Sequence, residues 1–114
     1  MITFDIPGVL QRLQGDEAFL EELLQAYLSD YPQRFVAMRA AFATGDLVAL
    51  GRLAHSAKGA SATVGAVRLQ ELAAQLDGAC RAGNATEAAK MLELVFAEES
   101  TTEKALREWL ASRQ

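Results

Sequence analysis

The chain has few of the residues from which metal sites, disulfides or redox centres are built: it contains one histidine and one cysteine. A lone Cys80 cannot form an intramolecular disulfide, and without a second thiol or a histidine cluster it excludes the usual zinc patterns. Proline occurs twice and tryptophan once, and the β-branched and aromatic share is small beside alanine and leucine, which favours helix over sheet. Basic charge is also in deficit. The net charge of -4 and isoelectric point near 4.9 argue against a nucleic-acid binder, which would carry a basic stripe. No apolar run approaches the roughly 20 residues that cross a bilayer, and MITFDIPGVL lacks the charged and apolar segments of a signal peptide. A reduced, cytoplasmic setting and no membrane partner are expected.

What remains is a single-domain chain, residues 1–114, with one hydrophobic core. Asp5 before Ile6 and Pro7 starts a short helix reaching about Gln14. Asp16 caps a long second helix with the stripe Leu20, Leu23, Leu24, Tyr27, Leu28 and Tyr31. Phe35, Met38 and Phe42 continue that stripe past Pro32, so the spacing predicts one kinked helix ending near Gly45. Asp46 caps a third helix running to about Val64, with Gly65 as its stop. A fourth carries Leu69, Leu72, Leu76 and Cys80. Gly83 then ends it, and Asn84 with Glu87 forms a capping-box pattern that opens the last helix. That helix buries Ala88, Met91, Leu92, Val95, Phe96, Leu106, Trp109 and Leu110, and the polar run from Glu98 to Glu103 is expected to loosen its middle. Such stripes, joined by short connections, pack most simply as an all-α antiparallel up-and-down four-helix bundle with an additional short N-terminal helix.

Chemistry concentrates in LAHSAKGASATVG, Leu53 to Gly65. At about 100° per residue, Leu47, Leu50, Leu53, Ala54, Ala57 and Val64 share a core face, and His55 lies about 140° from its mean direction. The imidazole should reach solvent rather than sit satisfied in the core. Gly51, Gly59 and Ala62 border it with little bulk. Glycine within a helix costs about 1 kcal/mol relative to alanine, so these positions serve either access to the ring or helix packing, the latter reading applying most readily to Gly51. Arg52 and Lys58 stand three residues before and after His55. Their field disfavours ring protonation, keeps neutral imidazole available as a nucleophile, and favours a phosphoryl group once attached. Lys58, on the Gly59 side with a flexible stem, is the better placed, and Arg52 can equally belong to a solvated face.

The run AHSAKGASATVG resembles the histidine-containing phosphotransfer (HPt) signature: alanine and histidine, lysine and glycine at plus three and plus four, small residues, then another glycine. LLQAYLSDYPQRFVAMRAAFATGD and LQELAAQLDGACRAGN are similar to the second and fourth helices of that family. The sequence departs from it at Ala57, where a larger apolar residue is usual, and at Asp77, where glutamate is common. The resemblance implies a phosphorelay intermediate, a phosphocarrier without kinase activity of its own. His55 would take a phosphoryl group from a receiver-domain aspartate and pass it to another, Lys58 would stabilise the phosphorylated state, and Gly59 would clear the docking surface. Expected partners are response-regulator receivers and hybrid histidine kinases. The chain would need no cofactor, Mg2+ being held by the receiver, and a stand-alone monomer is expected.

A histidine-kinase dimerisation module would place an acidic residue directly after the histidine and a proline shortly beyond. Here Ser56 follows His55, and no proline comes later. A di-iron bundle needs several inward carboxylates with Glu-x-x-His pairs. The remaining alternative is a docking protein that binds a receiver or kinase without phosphotransfer, through an apolar surface from the first two helices.

Overall fold

The computed structural model describes residues 3–113, all its regular structure being helical: α1 (Ile6–Arg12), α2 (Glu17–Ala43), α3 (Leu47–Thr63), α4 (Val67–Arg81) and α5 (Ala85–Ala111). The outermost ends of the expected domain, residues 1, 2 and 114, lie outside the described residues. Helices α2 to α5 run up and down in a bundle of 43 × 21 × 20 Å, with α3 packed most extensively on α4 and on α2, and α5 on α4 and α2. The four-helix bundle with a short leading helix is therefore the architecture, as the stripes imply.

Three tight corners at residues 44–46, 64–66 and 82–84 are built alike. At the last, Gly83 N–H donates to Cys80 O and Asn84 N–H to Ala79 O, both at 3.0 Å. These two bonds close a helix by satisfying its orphan carbonyls, and they require a left-handed residue between them, here Gly83 at φ +68°. Gly65, at φ +77°, does the same after α3. The residue that completes one helix stop also stands at the next helix start. Asn84 Oδ1 accepts from Glu87 N at 3.0 Å, and Asp46 Oδ1 accepts from Ala49 N at 2.9 Å. Only half of the expected capping box forms, because the Asn84 N–H that Glu87 would have accepted is already bonded to Ala79.

Helix α1 ends at Arg12, slightly short of the expected Gln14, and is fastened to the C-terminal end of α3. Asp5 N–H donates to Gly65 O at 2.8 Å, while Arg12 Nη2 donates to Ala62 O at 2.9 Å and Thr63 O at 3.4 Å. The guanidinium thus adds a donor to carbonyls of the last turn of α3, Ala62 O also accepting from Gly65 N at 3.2 Å. Phe4 completes the attachment edge-to-face on Trp109, ring centroids 6.5 Å apart.

The core holds Leu20, Leu24, Phe35 and Met38 of α2, Leu50, Ala54 and Ala57 of α3, Leu69, Leu72 and Leu76 of α4, and Met91, Leu92, Val95 and Leu106 of α5. Helix α2 is one helix through Pro32 and carries a column of aromatic rings. Tyr27 stacks on Tyr31 at 5.2 Å, and Tyr31 and Phe35 meet edge-on at 6.4 Å. Ala57 is fully buried, so the smaller residue is accommodated in the core where α3 lies close to its neighbours.

One expectation fails. The polar run in α5 does not loosen it: the helix is continuous from Ala85 to Ala111. Val95, Glu99, Thr102 and Leu106 are all buried, so the stripe keeps its helical spacing with two polar residues standing in core positions. Oε1 of Glu99 and the hydroxyls of Thr102 and Tyr27 find no protein partner among the described residues. Burial, then contact with Glu103, pushes the Glu99 carboxyl up to about 7. Glu103 moves the other way, lowered chiefly by its bonds to Arg107 at 2.9 and 3.2 Å. The Tyr27 hydroxyl is raised by burial and by the charges of Glu99, Glu103 and Tyr31.

Candidate functional site

His55 occupies the outer face of α3, opposite Ala54 and Ala57, and its side chain is 57 % exposed. The helix wheel is therefore right about the direction of the ring. Its backbone is held from both sides. On the α2 side the Tyr31 hydroxyl pairs with Ser56 Oγ at 2.9 Å and donates to Ser56 O at 3.3 Å. On the α4 side Gly51 lets the helices close: a Cβ there would stand 3.1 Å from Cys80 Cβ and 3.6 Å from Asp77 Oδ1. Gly51 is consequently buried. It lines the floor of the cleft beside His55 while closing the α3–α4 contact, and of its two readings packing is the one the Cys80 distance supports. Gly59 is the reverse case, exposed and with no atom within 4 Å of where a Cβ would lie. Ala62 is half-buried beneath the Arg12 clamp.

Arg52 is exposed and Lys58 half-buried, each a turn from His55 on its own helix, and neither enters an ion pair among the described residues. The charged group in contact with the ring is an anion whose role the sequence does not announce. Asp77 of α4 places Oδ2 3.4 Å from His55 Nδ1, at the long end of a hydrogen bond, while its Oδ1 accepts from Arg81 Nε at 3.1 Å. The Asp77 side chain is only 10 % exposed. In the sequence it figures only as a departure from a family pattern. Its physical signal was its position: a carboxylate beside Leu76 and three residues before Cys80, inside the buried stripe of α4, where an acid persists only if something satisfies it.

The Asp77 contact breaks the symmetry between the two ring nitrogens. A carboxylate can only accept, so the tautomer suited to this contact carries its proton on Nδ1 and its lone pair on Nε2. Between α3 and α4, beside the ring, opens a cleft of about 550 Å3 whose lining includes Gly51, Arg52, Asp77, Cys80 and Arg81. Cys80 is no competing nucleophile, since burial and then the Asp77 charge push its thiol up. Large apolar side chains that reach solvent are Phe19 and Val36 on α2, Val48 on α3, Val67 on α4 and Leu94 on α5. Helix α1 adds the half-buried Ile6 and Leu10. No described helix is long and apolar enough to cross a membrane.

A histidine displayed on the middle of a bundle helix, with small residues beside it and cations a turn away, defines a phosphotransfer domain rather than a hydrolase or a metal centre. The sequence model of the Hpt domain matches residues 22–112, and the chain belongs to that family. It is a phosphorelay histidine phosphotransfer protein of two-component signalling, of a class that carries phosphoryl groups and interacts with receiver domains and histidine kinases. Its structure is similar to the crystal structure of histidine-containing phosphotransfer protein B (HptB) from Pseudomonas aeruginosa PAO1. The TM-score is 0.87 at 25 % identity, with 96 % of each chain covered. No curated protein sequence gives a significant match.

Proposed function

We propose that His55 is the phosphoacceptor, through Nε2, and that the chain serves as a cytoplasmic, monomeric carrier between receiver domains without kinase activity of its own. The observation that carries this reading is the exposed imidazole whose Nδ1 faces a buried carboxylate, which leaves Nε2 as the nitrogen not engaged by Asp77. In the accepting step the Nε2 lone pair attacks phosphorus of a receiver's acyl phosphate. The N–P bond forms, the P–O bond to the aspartyl oxygen breaks, and the carboxylate leaves with the electron pair while the ring retains its Nδ1 proton. Delivery to the next receiver is the reverse. The receiver supplies the divalent cation and acidic pocket, so this chain contributes position and access. Lys58, a turn away on a flexible stem, balances the charge of the attached phosphoryl group, and Gly59 leaves room for the receiver.

The test is incubation with a phosphorylated receiver. Acid-labile label should appear on the wild type and be lost in His55→Gln, with both proteins equally helical. Binding of both variants without label on either would reduce the domain to a docking module and refute the proposal.

A further inference from the structure

The cleft beside His55 holds a cation that the transfer chemistry above leaves unused. Arg81, in the last turn of α4, donates from Nε to Asp77 Oδ1 at 3.1 Å. The other oxygen of the same carboxylate faces His55 Nδ1 at 3.4 Å. His55 and Arg81 are the only hydrogen-bond partners of the Asp77 side chain among the described residues. The buried acid therefore divides its charge between an exposed guanidinium, 69 % accessible, and the imidazole.

We infer that Arg81 is a positioning residue that sets, through Asp77, how firmly the Nδ1 proton of His55 is held and so how readily a phosphoryl group leaves Nε2. The inference rests on His55 being the phosphoacceptor. When the N–P bond breaks, the electron pair returns to Nε2. With Nδ1 protonated the departing group is neutral imidazole, and without that proton it would be imidazolate, a far poorer leaving group. A new P–O bond forms on the acceptor, either a carboxylate or water. Asp77 favours the protonated ring by accepting from Nδ1–H, and a guanidinium drawing on its other oxygen weakens that pull.

The other groups around the ring do not share this role. Arg52 and Lys58 lie on α3 itself and touch neither oxygen of Asp77. Cys80 of α4 stays a thiol. Helix α2 presents Tyr31, whose hydroxyl is engaged with Ser56. A purely structural Arg81 would supply only an i,i+4 pair at a helix end, a small contribution to the fold. Such a role would leave the pH dependence of phosphohistidine untouched.

The experiment loads wild type, Arg81→Gln, Arg81→Lys, Asp77→Asn and the Asp77→Asn/Arg81→Gln double variant from a phosphorylated receiver. The receiver is removed, and loss of label is followed from about pH 6 to about pH 9. Arg81 is exposed, so the variants should remain folded, which circular dichroism checks. Arg81→Gln should lose label about threefold faster on the alkaline side, the profile moving to higher pH. Arg81→Lys should restore the wild-type profile. In the Asp77→Asn background the Arg81 substitution should change nothing. Profiles of wild type and Arg81→Gln that superimpose on labelled proteins overturn the inference alone. So does an Arg81 effect that persists without the Asp77 charge, because the guanidinium would then act on the phosphoryl group directly. Failure of the wild type to take label overturns the phosphoacceptor reading and this inference with it.

Discussion

Glu99→Gln should stabilise the protein above neutral pH and leave it nearly unchanged in mild acid. Glu99 is 9 % exposed, one of its oxygens has no protein partner, and its carboxyl is raised from 4.5 to about 7. The folded chain therefore holds this proton up to about pH 7, whereas the unfolded chain releases it near 4.5. Between those values the folded state binds more protons, and stability falls as pH rises. The contribution is complete below 4.5, declines across the window and is lost above about 7. At about 1.36 kcal/mol per unit the ceiling is about 3 kcal/mol. Solvent screening of the Glu103–Arg107 pair beside it brings the expected value to about 1–3 kcal/mol. Glutamine keeps the shape of the neutral acid without its proton. Urea unfolding at about pH 5 and about pH 8 should show the wild type losing that amount while the variant stays level. Near pH 8 the variant should melt some 4–12 °C higher, taking about 4 °C per kcal/mol at this size. The lowered Glu103 does not confound the window, because its contribution is lost only on the acid side of 4.5. Equal pH slopes in the two proteins would refute the reasoning.

Gly59→Ala should be neutral or stabilising by up to about 1 kcal/mol, since open space receives the methyl, whereas Gly59→Glu should leave the helicity intact and slow transfer about tenfold by crowding and repelling the receiver. Unchanged transfer rates in Gly59→Glu would remove the access role. Gly51→Val should destabilise the fold by about 2 kcal/mol or more in urea, because a branched side chain there meets the fixed Cβ of Cys80, and a stable variant would contradict the tight α3–α4 approach. Lys58→Ala should lower the steady-state yield or shorten the lifetime of phospho-His55 about two- to fivefold, and identical label and decay would return Lys58 to a solvated face.

The helices were legible because their boundaries are chemical. Asp16, Asp46 and Asn84 each cap the helix they were expected to start, and Gly65 and Gly83 adopt the left-handed backbone that ends one. His55 was legible for a related reason, since one helix wheel suffices to say which way it points. What the sequence concealed depends on pairs of helices. Whether Gly51 opens a surface or closes an interface is decided by Cys80, on another helix. Asp77 becomes part of the site only when α4 packs on α3 and sets its carboxylate against the ring. The polar run in α5 looked like a weak point because its composition is hydrophilic, but Glu99 and Thr102 fall on the buried stripe and the helix passes through them unbroken.

His55 stands on a packed helix, pinned by α2 on one side and α4 on the other, with one ring nitrogen facing Asp77 and the imidazole exposed. With His55 as the proposed phosphoacceptor, donor and acceptor would have to reach the same nitrogen, so each visitor would have to depart before the next could arrive. The relay would thereby be a queue rather than a bridge. An excess of either receiver, phosphorylated or not, would slow delivery to the other by occupying the only counter at which the exchange takes place.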